Sequence, residues 1–142
     1  MHKTLVVDDS ESQRLLLTHY LKGVCRCDTA EEGAEAVDLF GRALDSGEPY
    51  AILLMDLDMP GVNGYQAMRR MRALEHGHGL YPPDTCRFIV VSSLGAGVSV
   101  AAESEGCLVD AFFLKPLTRD DLIRKIKGLS LLYGIGSAKA GG

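Results

Sequence analysis

Short aliphatic runs alternate with stretches of helical periodicity along nearly the whole chain. The runs cover residues 4–7, 24–28, 50–55, 88–91 and 111–114. Most are continuously apolar, which predicts strands buried on both faces in a parallel sheet. The intervening stretches carry helix signals. Ser10 with Gln13 has the spacing of a capping box for a first helix ending near Gly23. Thr29 with Glu32 has the same spacing before a second helix. That helix places Gly33, Ala36, Val37, Phe40 and Leu44 on one face, and residues 45–49 (Asp-Ser-Gly-Glu-Pro) break it. A loop with Pro60, Gly61 and Gly64 leads to a third helix over residues 65–75. A polar loop over residues 76–85 follows, with Gly77, Gly79 and Pro82-Pro83. After Gly97 a fourth helix is poor in strong helix formers over residues 98–106. Thr118 with Asp121 opens a fifth, with Leu122, Ile126 and Leu129 as its apolar face.

Five strands and five helices in strict alternation predict an α/β fold. Its centre is a five-stranded parallel sheet with helices on both faces. The 142 residues suffice for one domain, assigned to residues 1–133. Residues 134–142 are small and flexible in composition and are set apart as a tail or linker.

Composition narrows the partners. A net charge of −4 argues against direct nucleic-acid binding. The longest strictly apolar run, residues 50–55, is too short to span a bilayer, so no membrane insertion is expected. The first strand begins too near Met1 for a signal peptide, which points to the cytoplasm. Cys25, Cys27, Cys86 and Cys107 lack zinc spacing and read as reduced thiols. Cys25 and Cys27 share one side of a strand and read as packing residues. His76 and His78 flank Gly77 in a polar loop and read as solvent-facing, since a metal site needs more ligands.

The carboxyl ends of the strands carry the chemistry, as open α/β sheets dictate. The first run ends in Asp8-Asp9, the third in Asp56, the fourth in Ser92, and the fifth in Lys115 followed by Pro116. Singly, each reads as a turn, cap or surface residue. Together they place three acids, a hydroxyl and an ammonium on one rim. Three adjacent carboxylates repel unless a cation offsets them, and hard oxygen donors favour Mg²⁺ over zinc.

This set resembles the receiver domain of two-component response regulators, of the chemotaxis-regulator kind. The matching motifs are Val6-Val7-Asp8-Asp9-Ser10, Met55-Asp56-Leu57-Asp58-Met59-Pro60-Gly61 with Gly64, Val91-Ser92-Ser93, and Phe113-Leu114-Lys115-Pro116-Leu117. The resemblance implies a flavodoxin-like (βα)5 topology and a phosphorylation-activated switch, not an enzyme acting on external substrates. It implies that Asp56 is the phosphoacceptor, taking the phosphoryl group from a histidine kinase or a histidine phosphotransfer protein. Asp9 would bind Mg²⁺ directly, with Mn²⁺ as an alternative ion. Asp8 would bind through water, and Asp56 and the Asp58 backbone carbonyl would complete the protein ligands. Ser92 would hydrogen-bond the phosphoryl group, Lys115 would pair with it, and Phe112 would turn inward as Ser92 moves. The output would pass to a downstream protein or an attached output domain, across the face formed by the fourth helix, fifth strand and fifth helix. Such a chain acts alone or as one receiver of a longer hybrid kinase or regulator.

Four departures from the common receiver pattern bear on phosphoryl lifetime. Ser92 stands where Thr is commoner, Ser93 where Ala is frequent, residues 94–97 are glycine-rich, and Asp58 adds charge at the mouth. Two rival readings fit less well. Asp56-Leu57-Asp58 mimics the nucleophile motif of haloacid dehalogenase-type phosphatases, but an acid-bearing strand precedes it, Met59-Pro60 is wrong for it, and the chain lacks length for a cap domain. A flavin-binding or silent scaffold is opposed by the acidic loop after the first strand and by retention of all five rim residues.

Overall fold

The computed structural model describes residues 1–58, 64–93 and 109–133. Residues 59–63, the glycine-rich 94–97, the predicted fourth helix at 98–106, Cys107 and the tail at 134–142 lie outside them. The described elements are β1 (His2–Val7), α1 (Glu11–Tyr20), β2 (Cys25–Ala30), α2 (Gly33–Asp45), β3 (Ile52–Asp56), α3 (Gly64–Gly77), β4 (Arg87–Ser92), β5 (Ala111–Leu114) and α4 (Arg119–Tyr133). All five strands are parallel, in the order β2-β1-β3-β4-β5.

Alternation along the strands divides the core in two. Leu5, Val7, Leu53, Met55, Phe88 and Val90 face one apolar layer with Phe40 of α2 and Met68 and Met71 of α3. Val6, Ile52, Leu54, Ile89 and Val91 face the other, with Leu17 of α1 and Leu122 and Ile126 of α4. Residues two apart on a strand share a face, so a sheet covered on both sides needs apolar residues at every central position. That is why β1, β3 and β4 read as continuous aliphatic runs.

The capping predictions meet different fates. Ser10 caps α1, its Oγ accepting from the Gln13 N–H at 3.3 Å. The other half of the box is replaced: the Ser10 N–H donates to Asp8 Oδ1 at 2.9 Å. Thr118 Oγ1 likewise accepts from the Asp121 N–H at the start of α4. Thr29 does not cap α2. The β1–β2 ladder runs on to Val7 and Ala30, which keeps Thr29 in strand opposite Val6. The N-cap falls at Glu32 without a side-chain bond, and Glu35 reaches back to the Glu31 N–H at 2.8 Å.

Helix α3 runs past its predicted end to Gly77. The two histidines there are engaged separately. His76 stacks on Tyr81, while His78 lies 3.0 Å from Asp45 Oδ1 and 3.0 Å from the Leu74 carbonyl. Asp45 is far away in sequence, and only the fold brings it to His78. Cys25, Cys27 and Cys86 are free thiols.

A charged network invisible in the sequence fastens the end of the sheet opposite the acids. Arg72 of α3 donates to Glu75 Oε1 at 2.9 Å and to the Cys86 carbonyl at 2.8 Å, and its guanidinium lies 3.5 Å from the Phe88 ring centroid. Glu75 Oε2 accepts from the Cys86 N–H, and Asp110 Oδ2 accepts from the Phe88 N–H. Arg87 donates to the Pro83 carbonyl and faces Asp110. Because Glu75 is buried, removing its partner strands a charge. Arg72→Ala is therefore expected to cost about 3–5 kcal/mol. Urea denaturation checks this, and a loss below about 1 kcal/mol, the range of an exposed pair, would show that the network is not structural.

Candidate functional site

The strand register gathers the predicted rim. Val7 pairs with Met55, and Asp56 pairs with Val91, so Asp8 and Asp9 emerge beside Asp56. Ser92 pairs with Leu114, and the Lys115 N–H donates to the Ser92 carbonyl at 3.1 Å. Residues from four strands thus meet at one edge. Gly64 lets α3 start against the turn after β3: a Cβ there would fall 2.5 Å from Leu57 Cδ2.

Carboxylate oxygens of Asp8, Asp9 and Asp56 all lie within 4.8 Å of one another. Asp8 and Asp56 are buried, and Asp9 is exposed. Asp8 Oδ1 accepts from the Ser10 N–H, but Oδ2 is buried with no hydrogen-bond partner. Burial and the negative charge of Asp56 push the Asp8 carboxyl up to about 6, against the opposing pull of the Ser10 N–H and Lys115. An acceptor-only oxygen, buried and unpaired among acids, suits a hard divalent cation such as Mg²⁺. The residues therefore fit the ion that the acid pattern predicts.

Lys115 brings a positive charge to Asp56. Its Nζ donates to Asp56 Oδ1 at 3.0 Å and lies 3.3 Å from Asp58 Oδ2. Burial works against the ammonium, but the bonds and charges of Asp56 and Asp58 outweigh it and raise its pKa.

Two features of the rim escape the sequence motifs. Arg14, about one turn into α1, donates to the Asp8 carbonyl at 2.8 Å and to Glu31 at 3.1 Å, tying the acid loop to β2's exit. Asp58 does more than add charge at the mouth. Its side chain turns inward, Oδ1 accepting from Ser92 Oγ at 2.9 Å and Oδ2 from the Ser93 N–H at 2.9 Å. Burial pushes Asp58 up, but the Ser92, Ser93 and Lys115 contacts prevail and hold it below the ordinary carboxylate range. Phe112 is half-buried against the α2–α3 core layer, and Phe113 packs on the opposite one.

The Asp8 environment sets a pH dependence. Its folded pKa of about 6 lies above the ordinary 3.8, so between these values the folded chain holds more protons than the unfolded one. The metal-free fold accordingly loses stability as pH rises through that window. Asp8→Asn removes the penalty. Its melting temperature in chelator at pH 7.5 is expected to exceed the parent's by a few degrees, with the gap closing below pH 4. A parent that melts higher than the variant at pH 7.5 without metal would contradict this account.

Known proteins are similar to this chain. Residues 4–127 match the family model of the response regulator receiver domain. The chain is 32% identical over 136 residues to the histidine kinase CKI1 of Arabidopsis thaliana, covering 88% of this chain but only 12% of that protein. It is 32% identical over 122 residues to the two-component response regulator ORR41 of Oryza sativa subsp. japonica, covering 86% of this chain and 89% of that protein. The receiver domain of CKI1, solved with Mg²⁺ and BeF3⁻, superimposes with a TM-score of 0.73 at 31% identity, over 89% of this chain and 90% of that one. The order of the strands, the rim they build and these matches agree: the chain belongs to the response regulator receiver domain family of two-component and phosphorelay systems.

Proposed function

We propose that this receiver is switched by phosphorylation of Asp56, with Lys115 and Ser92 receiving the phosphoryl oxygens. The observation that carries the reading is the meeting of the Asp8, Asp9 and Asp56 oxygens within 4.8 Å beside the Lys115 ammonium, 3.0 Å from Asp56. The donor is a phosphohistidine on a kinase or phosphotransfer protein. A carboxylate oxygen of Asp56 attacks phosphorus, the P–N bond of the donor breaks, and an acyl phosphate forms. The displaced histidine nitrogen takes a proton from solvent.

Phosphoryl transfer depends on positioning and charge neutralisation more than on covalent assistance. The chain supplies both. Asp56 is fixed at a strand end, and its Oδ1 also accepts from the Asp58 N–H at 2.9 Å. Lys115 stands where negative charge collects on the transferring group. Asp9, Asp56 and the Asp58 carbonyl would hold Mg²⁺ or Mn²⁺ directly and Asp8 through water, and the ion when bound offsets charge on the attacking and transferring oxygens. Ser92 and Phe112 form the switch, and the output goes to a protein target or an attached output domain.

No described helix is long and apolar enough to cross a membrane. A phosphatase acting on external esters is disfavoured by Asp58. The second acid of that motif must stay available as a proton donor, whereas here it is held ionised by three donors.

Acetyl phosphate with Mg²⁺ is expected to label the parent chain and not Asp56→Asn, as read by intact mass. Equal labelling of both would remove Asp56 as the acceptor. Calorimetric titration is expected to rank Asp9→Asn below Asp8→Asn in Mg²⁺ affinity, since Asp9 is the direct ligand. The opposite ranking would exchange the two roles.

A further inference from the structure

Three hydrogen-bond donors at the rim beside Asp56 are already committed to a second acid, Asp58. The Ser92 hydroxyl donates to Asp58 Oδ1 at 2.9 Å, and the Ser93 N–H donates to Asp58 Oδ2 at 2.9 Å. The Lys115 ammonium lies 3.3 Å from the same Oδ2. A hydroxyl, a backbone amide and an ammonium from three positions in the chain converge on one anion. That is the donor set for a dianionic oxyanion, and a carboxylate is the nearest protein equivalent.

Asp58 reaches this place through a local turn. Its N–H donates to Asp56 Oδ1, and the Leu57 N–H donates to the Val91 carbonyl. The chain after β3 is thereby folded against the end of β4, and the Asp58 side chain crosses to Ser92 and Ser93.

We infer that Asp58 is a built-in surrogate for the phosphoryl group, holding Ser92, Ser93 and Lys115 until the phosphoryl group displaces it. The inference rests on Asp56 being the acceptor, and it assigns the second acid of the Asp56-Leu57-Asp58 motif a regulatory role. Two consequences follow. An incoming phosphoryl group must expel a carboxylate of like charge from its own donors, which weakens engagement. The Ser92 hydroxyl is also drawn toward the site before any phosphorylation, so the unphosphorylated chain already holds part of the switched arrangement.

The test compares the parent 142-residue chain with Asp58→Ala and Asp58→Asn. Beryllofluoride with Mg²⁺ serves as the phosphoryl probe. Affinity is expected to rise about tenfold in Asp58→Ala, equal to about 1.4 kcal/mol. Asp58→Asn, which keeps the shape but not the charge, should fall between parent and Ala. The Ser93 amide resonance, read without metal or probe, should move in both variants, although Ser93 is far from residue 58 in sequence. Affinity unchanged or weakened in both variants overturns the surrogate role. So does a Ser93 amide that stays in place. Because that amide is read with no phosphoryl donor present, it is independent of the acceptor's identity. Failure of the parent chain to label at Asp56 with acetyl phosphate would overturn the proposed function and the surrogate role with it, whereas a failed affinity or amide test overturns the surrogate role alone.

Discussion

Repulsion among carboxylates, and what the fold does to contain it, organises this molecule. Asp8 and Asp56 are both buried, and Asp9 stands beside them. Burial and proximity each raise the free energy of the ionised forms. The countercharge that pairs with Asp56 is Lys115, carried on the segment after β5. Its position is fixed by the Ser92–Leu114 pairing and by its own N–H bond to Ser92. The sheet is thus a device for holding like charges together and delivering one opposite charge to them.

The two ends of that sheet solve opposite problems. At the carboxyl ends, acids outnumber bases and an oxygen of Asp8 is left unpaired. At the other end, Arg72, Glu75, Arg87 and Asp110 balance acid against base, and their donors and acceptors tie α3 and the approach to β5 onto β4. Strained chemistry and compensated structure are separated by the length of the strands.

Much of this was legible in the sequence. The continuous runs in β1, β3 and β4 announced burial on both faces, and the abrupt acids at their ends announced the rim. Ser10 and Thr118 marked helix starts because their bonds are local. Thr29 misled for a complementary reason: whether it caps or pairs is decided by how far β1 extends beside it, a long-range fact. The Arg72 network joins residues up to 38 positions apart along the chain, with no local pattern to betray it. Asp58 was visible as a charge, but its inward turn depends on donors from Ser92, Ser93 and Lys115, which only the assembled sheet presents to it.

The strand order has a bearing on assembly. Asp8, Asp9 and Asp56 all belong to the first 56 residues, and β1 lies between β2 and β3, so that half of the sheet can pair as a unit. Lys115 follows β5, the last strand and an edge of the sheet. Until β5 docks, the acid cluster has no ammonium beside it. Completion of the fold and electrical completion of the site are therefore one event. A chain with its final strand undocked would carry the acids without their lysine, and competence to signal would report that the sheet is closed.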